Sequence, residues 1–480
     1  MTVENKSYEC CILGAGPAGV GAALELTRRG TTNILIIDQN TIVGGLARTE
    51  KVDGARFDVG PHRFFTKNKE INQLWHDLLK EDFYPVSRLT RIYYNHRYFQ
   101  YPVKAFDVLK KLGGIESLQV MSSYLLTHLQ PKKEALTFED WVTQKFGRKL
   151  YETFFKTYTE KIWGIPCKEI GAEWAAQRIK GLDIREVIKN ALITSGQQIK
   201  TLVEEFDYPV LGAGQMYEAM CDEAVSKGAE LMLGAKVVGF EQKDNRIVSV
   251  EVKAPQGQTI KVEAKQFFSS IPMTHFFKML APEESARVQQ AVDALYYRDH
   301  ITVNLLVDGK DLFPDQWIYL HSQDVKAARL ANYNNFSSRM SGDENKTALS
   351  IEYFVFQDDA EWKMSDQELI DLAKQEIEYL KLVKQEQVEK AWVLRETEAY
   401  PVYYMGFQPH YDLLKNRANE FKNIMLMGRG GMYKYNNQDH SIISGILAAR
   451  NYLRLPGSPY DLWEINVDAE YCESSERVSS

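Results

Sequence analysis

Apolar residues in this chain fall into short unbroken runs separated by stretches of helical spacing. Cys10 to Leu13 is one run and Ile34-Leu35-Ile36-Ile37 another. Runs of four bounded by turn residues predict strands buried on both faces. Between them, Val20 to Arg29 has the spacing of a helix. A long helical stretch is predicted from Val103 to about Leu202, strongest over Phe106–Leu129 and Phe138–Thr157. Strand patterns return after Gly212-Ala213-Gly214 and a helix at Met216–Lys227. They fall at Glu230–Leu233, Val237–Gln242, Ile247–Lys253, Thr259–Ala264 and Phe267–Ser270. A further set is predicted at Asp299–Val307, Trp317–Leu320 and Ala348–Phe356. Ser365-x-x-Glu368 forms a capping box ahead of an apolar face of Leu369, Leu372, Ala373, Ile377 and Leu380. A last strand at Ile424–Met427 leads through Gly428-Arg429-Gly430-Gly431 to a helix near Ile442–Leu453.

Composition narrows the picture. A chain of 480 residues that is 44% hydrophobic builds two or three cores. Its net charge of −7, with no basic stripe, excludes a nucleic-acid-binding protein. Five scattered cysteines, with no C-x-x-C pair, fit a reducing cytoplasm. No apolar stretch approaches the length of a membrane-spanning helix. The glycine motif explains the apolar N-terminal run better than a signal peptide does. The polar end, residues 466–480, reads as a disordered tail.

The first strand runs straight into Gly14-Ala15-Gly16-Pro17-Ala18-Gly19, and the second ends on Asp38. This is the dinucleotide-binding order of strand, glycine turn, helix, strand and acid. Gly14 makes the turn, Gly16 lets backbone approach a pyrophosphate, and Gly19 allows helix and strand to pack closely. Pro17 and Ala18 are expected at the cofactor with these glycines, and the helix that follows turns its N-terminus to the phosphate. Asp38 is placed to accept from a ribose hydroxyl.

A second glycine turn follows, Val43-Gly44-Gly45-Leu46-Ala47-Arg48, and then Phe57-Asp58-Val59-Gly60-Pro61-His62. This pair resembles the FAD enzymes of the amine oxidase and phytoene desaturase superfamily, so FAD is favoured over NAD. The resemblance implies that Gly45, Leu46, Arg48, Gly60, Pro61 and His62 pass along the cofactor. It also implies an α/β fold with a Rossmann-like FAD domain of the GR2 type, assembled from residues 1–90, 205–290 and 395–465. A helical domain over 91–204 and a mixed-sheet substrate domain over 291–394 would complete the chain.

Four further segments look chemical: Phe57 to Phe64; Tyr158-Thr159-Glu160-Lys161-Ile162-Trp163-Gly164 with Arg178; Trp317-Ile318-Tyr319 with Arg329; and Gly428 to Ser441. In this order they resemble the UDP-galactopyranose mutases. That likeness implies a reduced flavin whose N5 displaces a nucleotide diphosphate from the anomeric carbon, so that the sugar recloses with the other ring size. It implies His62, Arg178 and Arg329 as catalytic residues. It implies Tyr101, Trp163, Tyr319, Tyr400 and Lys434 against a nucleotide-sugar substrate. Gly428, Arg429, Asn437, Gln438, Asp439 and Ser441 would complete the flavin site. With no second nucleotide fingerprint, an external NAD(P)H donor would reduce the flavin at the same cleft.

Plainer readings stand beside these. Arg178 and Arg329 also read as surface arginines, Trp163 as core, His62 as a structural histidine, and Asp439 as a helix cap. His275, His300 and His321 lack ligand spacing, so no metal is expected. Two departures touch the substrate. Tyr101-Pro102-Val103-Lys104 lacks the phenylalanine and glutamine with which eukaryotic mutases grip uracil. Lys434 replaces an arginine and loses its two-pronged contact. A net oxidoreductase of the amine oxidase or protoporphyrinogen oxidase type is the alternative. A binding protein like the GDP-dissociation inhibitors is disfavoured, because the phosphate loop is intact.

Overall fold

The computed structural model describes residues 4–101, 105–131, 133–172, 205–280 and 284–465. Arg178 and the 466–480 tail lie outside them.

The glycine turn sits where the sequence places it. Strand Glu4–Leu13 ends at Gly14, whose φ of +107° takes the chain out of the sheet. Helix Pro17–Arg28 follows, then strand Ile34–Ile37, whose four residues are all buried. Glu4–Leu13 pairs in parallel with Ile34–Ile37 on one side and with Thr259–Ser269 on the other. Ala229–Met232 and Ile424–Leu426 extend this parallel core at its two edges. The expected strands at 259–264 and 267–270 are one continuous strand, because Lys265-Gln266 carries no turn chemistry. Its first half pairs with the antiparallel strand Arg246–Lys253, and its end pairs with Ile424–Leu426. Helices Pro17–Arg28 and Gln438–Leu453 pack on this sheet and on each other. Their contact is backbone-close: a Cβ on Gly445 would lie 1.9 Å from the Ala18 carbonyl.

Among the described residues, a second seven-stranded sheet begins with Val388–Pro401, Tyr297–Asp308, Lys346–Val355 and Arg329–Asn332. Trp317–Leu320 and the hairpin Thr90–Tyr94/Arg97–Gln100 complete it. That hairpin differs from the expected helical segment starting at 91, and Val388–Pro401 runs across the expected boundary at 394. In both places backbone pairing to neighbouring strands fixes the conformation. Helix Asp366–Tyr379, opened by the Ser365/Glu368 capping box, seats Leu369, Ala373 and Ile377 on this sheet.

The helical stretch holds Gly114–Leu129, Phe138–Phe146 and a π-helical turn, Tyr151–Lys156, that runs into Thr157–Trp163. Gly164 ends it with φ +68°. No helix among the described residues is long and apolar enough to cross a membrane.

Candidate functional site

A cavity of about 780 Å³ runs from the glycine turn to the face of the second sheet. At its nucleotide end, Gly14, Gly16, Pro17 and Ala18 line it beside Asp38. No side chain caps the first turn of helix Pro17–Arg28, and Pro17 and Ala18 at its start line the cavity. Backbone crowding explains the glycines. A Cβ on Gly19 would stand 1.7 Å from the Gly14 carbonyl, and one on Gly45 would stand 3.1 Å from Gly16 Cα. Asp38 accepts from Ala15 N at 2.6 Å and Asn40 N at 2.8 Å. It therefore braces the turn while each carboxylate oxygen keeps acceptor capacity. Burial pushes its pKa up, against the pull of those two N–H groups.

Gly45, Leu46, Pro61 and His62 form the next stretch of wall. His62 Nε2 lies 2.7 Å from the Leu46 carbonyl, which only accepts, so Nε2 carries the proton. Burial lowers the His62 pKa to about 4, and the Arg429 and Arg329 charges add to that. The imidazole is neutral at neutral pH. Gly428, Arg429, Asn437, Gln438 and Ser441 face it from the last segment.

The far end of the cavity is polar and aromatic. Tyr319, Arg329, Tyr400 and Tyr435 line it. Arg329 Nε and Nη2 each donate at 2.6 Å to Glu352, the residue opposite it in the neighbouring strand. His300 Nε2 is 2.9 Å from Glu352 Oε2. Burial opposes ionisation of Glu352, yet Arg329 and His300 together hold its pKa down at about 2. Tyr400 and Tyr435 stack with centroids 5.6 Å apart, and the Arg429 guanidinium lies 5.0 Å from each ring. Burial raises the Tyr400 pKa, so its hydroxyl remains a donor.

Several expected site residues stand behind the wall. Arg48 is buried and tied to Gly45 O, Glu50 and Glu396. Gly60, with φ +83°, leaves room for the arginine cluster, since a Cβ there would lie 3.1 Å from Glu352 Oε2. Trp163 is core, stacked on Tyr403 and tilted against Tyr435. Tyr101 meets Tyr319 edge-on at 5.2 Å and lies under Arg88. Asp439 is buried in the first turn of the last helix. Lys434 corrects its expected role. Its ammonium donates to the carbonyls of Trp463 and Ile465, away from the cavity, and burial lowers its pKa to about 8. Glu352 is not singled out by the sequence, whereas Trp317 and Tyr435, which also line the cavity, fall within segments that look chemical without a role of their own.

A cavity over a glycine turn and a helix N-terminus is the arrangement of a dinucleotide site. The chain belongs to the flavin containing amine oxidoreductase family, whose model matches residues 17–453. It is a flavoenzyme, and the residues present fit FAD: a glycine cradle, a helix N-terminus with no side-chain cap and the acid Asp38 beside them. Its curated relatives include the probable UDP-galactopyranose mutase of Klebsiella pneumoniae, 29% identical over 35% of this chain and 44% of that one. The dTDP-fucopyranose mutase of Escherichia coli is 27% identical over 34% of this chain and 43% of that one. The matched part thus spans less than half the length of either relative. Among solved structures, a reduced UDP-galactopyranose mutase superposes with a TM-score of 0.82 at 19% identity, covering 98% of both chains. A putrescine oxidase bound to putrescine reaches 0.63 at 15% identity, covering 94% of this chain and 100% of that one.

Proposed function

We propose that the chain is a mutase of the UDP-galactopyranose mutase type, acting on a nucleotide-linked sugar without net oxidation. The observation that carries this reading is the polar wall around Arg329. An oxidase cleft for amines or apolar rings would line that end with apolar groups. Here it presents Arg329, Arg429, Tyr319 and Tyr400 beside the rings of Trp317 and Tyr435. The two curated relatives, a UDP-galactopyranose mutase and a dTDP-fucopyranose mutase, support the same reading. The reduced flavin would supply a nucleophilic nitrogen for the anomeric carbon.

The chain's own residues do the rest. Arg329, permanently charged, binds the diphosphate and keeps it close after it leaves the sugar. Glu352 fixes the guanidinium through Nε and Nη2, and Nη1 has no protein partner among the described residues. Tyr319 and Tyr400 donate to phosphate oxygens. His62 stays neutral in the cavity wall, where it would border the flavin, with its proton fixed on Nε2 by the Leu46 carbonyl. The stacked Tyr400 and Tyr435 exclude water from the leaving group.

The test is anaerobic incubation with UDP-galactofuranose, with and without dithionite, followed by chromatography. Conversion to the pyranose only after reduction establishes the reading. Oxygen uptake with an amine, and no sugar conversion, would establish an oxidase instead.

A further inference from the structure

Tyr319 and Arg329 belong to neighbouring strands joined by the turn 321–328, and that turn is gripped from two sides. From one side comes Lys161, on helix Thr157–Trp163. Its ammonium donates to the carbonyls of Leu320 (3.1 Å), Ser322 (2.6 Å), Val325 (2.7 Å) and Ala327 (3.1 Å). Four acceptors share three N–H groups. From the other side comes Glu376, on helix Asp366–Tyr379, which accepts from the backbone N–H of Lys326 and, at 3.2 Å, of Ala327. Tyr353 donates to the same carboxylate at 3.0 Å.

A surface turn has no need of this. Lys161 is half-buried, with no carboxylate at ion-pair distance among the described residues, and desolvation lowers its pKa to about 8. A buried ammonium without a counter-ion is costly unless its N–H groups are fully used. The same helix reaches the site directly. Tyr158, one turn before Lys161, stacks on His321 at 4.4 Å and meets Tyr319 edge-on at 5.4 Å. Arg298 ties the far end of the helix to the strand carrying Glu352, donating to Lys161 O at 3.4 Å and Phe354 O at 2.5 Å.

We propose that Lys161 is a positioning residue: with Glu376 it locks the turn 321–328 and so sets Tyr319 and Arg329 at the spacing a nucleotide diphosphate requires. The role of the ligand rests on the mutase reading; the lock itself does not.

The experiment uses flavin-loaded protein, wild type and the variants K161M, K161R and E376Q. Amide hydrogen exchange over 320–329 is measured beside the affinity for UDP. In K161M, exchange in this turn accelerates and UDP binding weakens, each by about tenfold, while the glycine-turn peptides stay protected. K161R, which keeps the charge and the donors, recovers part of both. Unchanged exchange over 320–329 in K161M overturns the proposal, as does faster exchange with unchanged UDP affinity. If K161M loses its flavin, E376Q decides: faster exchange at residues 326 and 327 with weaker UDP binding supports the lock, and wild-type behaviour overturns it. Failure of wild type to bind UDP defeats the nucleotide-sugar reading alone, and exchange over 320–329 still decides the lock.

Discussion

Glu352 receives Arg329 through both oxygens and His300 through one of them. Such charge-assisted pairs are about twice as strong as neutral ones. Removing the carboxylate charge leaves Arg329 in place but unaimed. On the proposed mutase reading, Glu352→Gln is therefore expected to lower kcat/KM, measured with reduced flavin, by about tenfold to a hundredfold, or about 1.4 to 2.7 kcal/mol. Steady-state kinetics with UDP-galactofuranose would check this, and flavin content should not change. His62 makes a second prediction. Its folded pKa of about 4 lies below the value of about 6.5 in an unfolded chain. Between those values the unfolded state binds more protons, so stability falls as pH drops through that window. His62→Gln should flatten that fall, visible as a smaller loss of Tm, by about 2–4 °C, between pH 7 and 4.5.

At the level of elements, the first and last helices meet through backbone. Ala18 O sits where a Cβ on Gly445 would go, at 1.9 Å, and Gly14 O blocks Gly19 at 1.7 Å. Alanine at either position must push the first helix off its seat. A loss of about 2–3 kcal/mol is expected for each, with flavin released on gel filtration and read from visible absorbance. The same elements show what sequence makes legible. Strand Ile34–Ile37 is apolar throughout because both its faces are buried, so a window of four residues betrays it. Val388–Pro401 is mostly half-exposed and shows no alternation of buried and exposed positions, so its strand character rests on its partner, Tyr297–Asp308. Arg329 was readable as a candidate from its segment, but Glu352 was not. The two meet as register partners across strands, which no local pattern encodes. Lys434 fails in the opposite way: its segment looked chemical, but its contacts are with residues 463 and 465.

For the whole molecule, the cavity is the meeting place of segments far apart in the chain. Gly14, His62, Val237, Arg329, Tyr400 and Ser441 all border it. A ligand that fills such a space binds only the folded form, so it stabilises every segment at once. Titrating flavin-stripped protein with FAD should raise Tm continuously with concentration, reaching about 4 kcal/mol of added stability at a thousandfold excess over Kd. A Tm that ignores FAD would mean the cavity is not the flavin's seat.

The late strand Ile424–Leu426 has one more consequence, this time for synthesis of the chain. It pairs with Phe267–Ser269 at the centre of the first sheet, and the wall is finished only by Ser441 on the helix that follows. The ribosome makes the glycine turn first and its opposite bank last. During most of translation the nascent chain holds half a cradle with exposed apolar strand edges, a state prone to aggregation. Cofactor loading therefore waits for the final tenth of the message, and a chain cut short before Ile424 should accumulate as colourless, aggregating polypeptide.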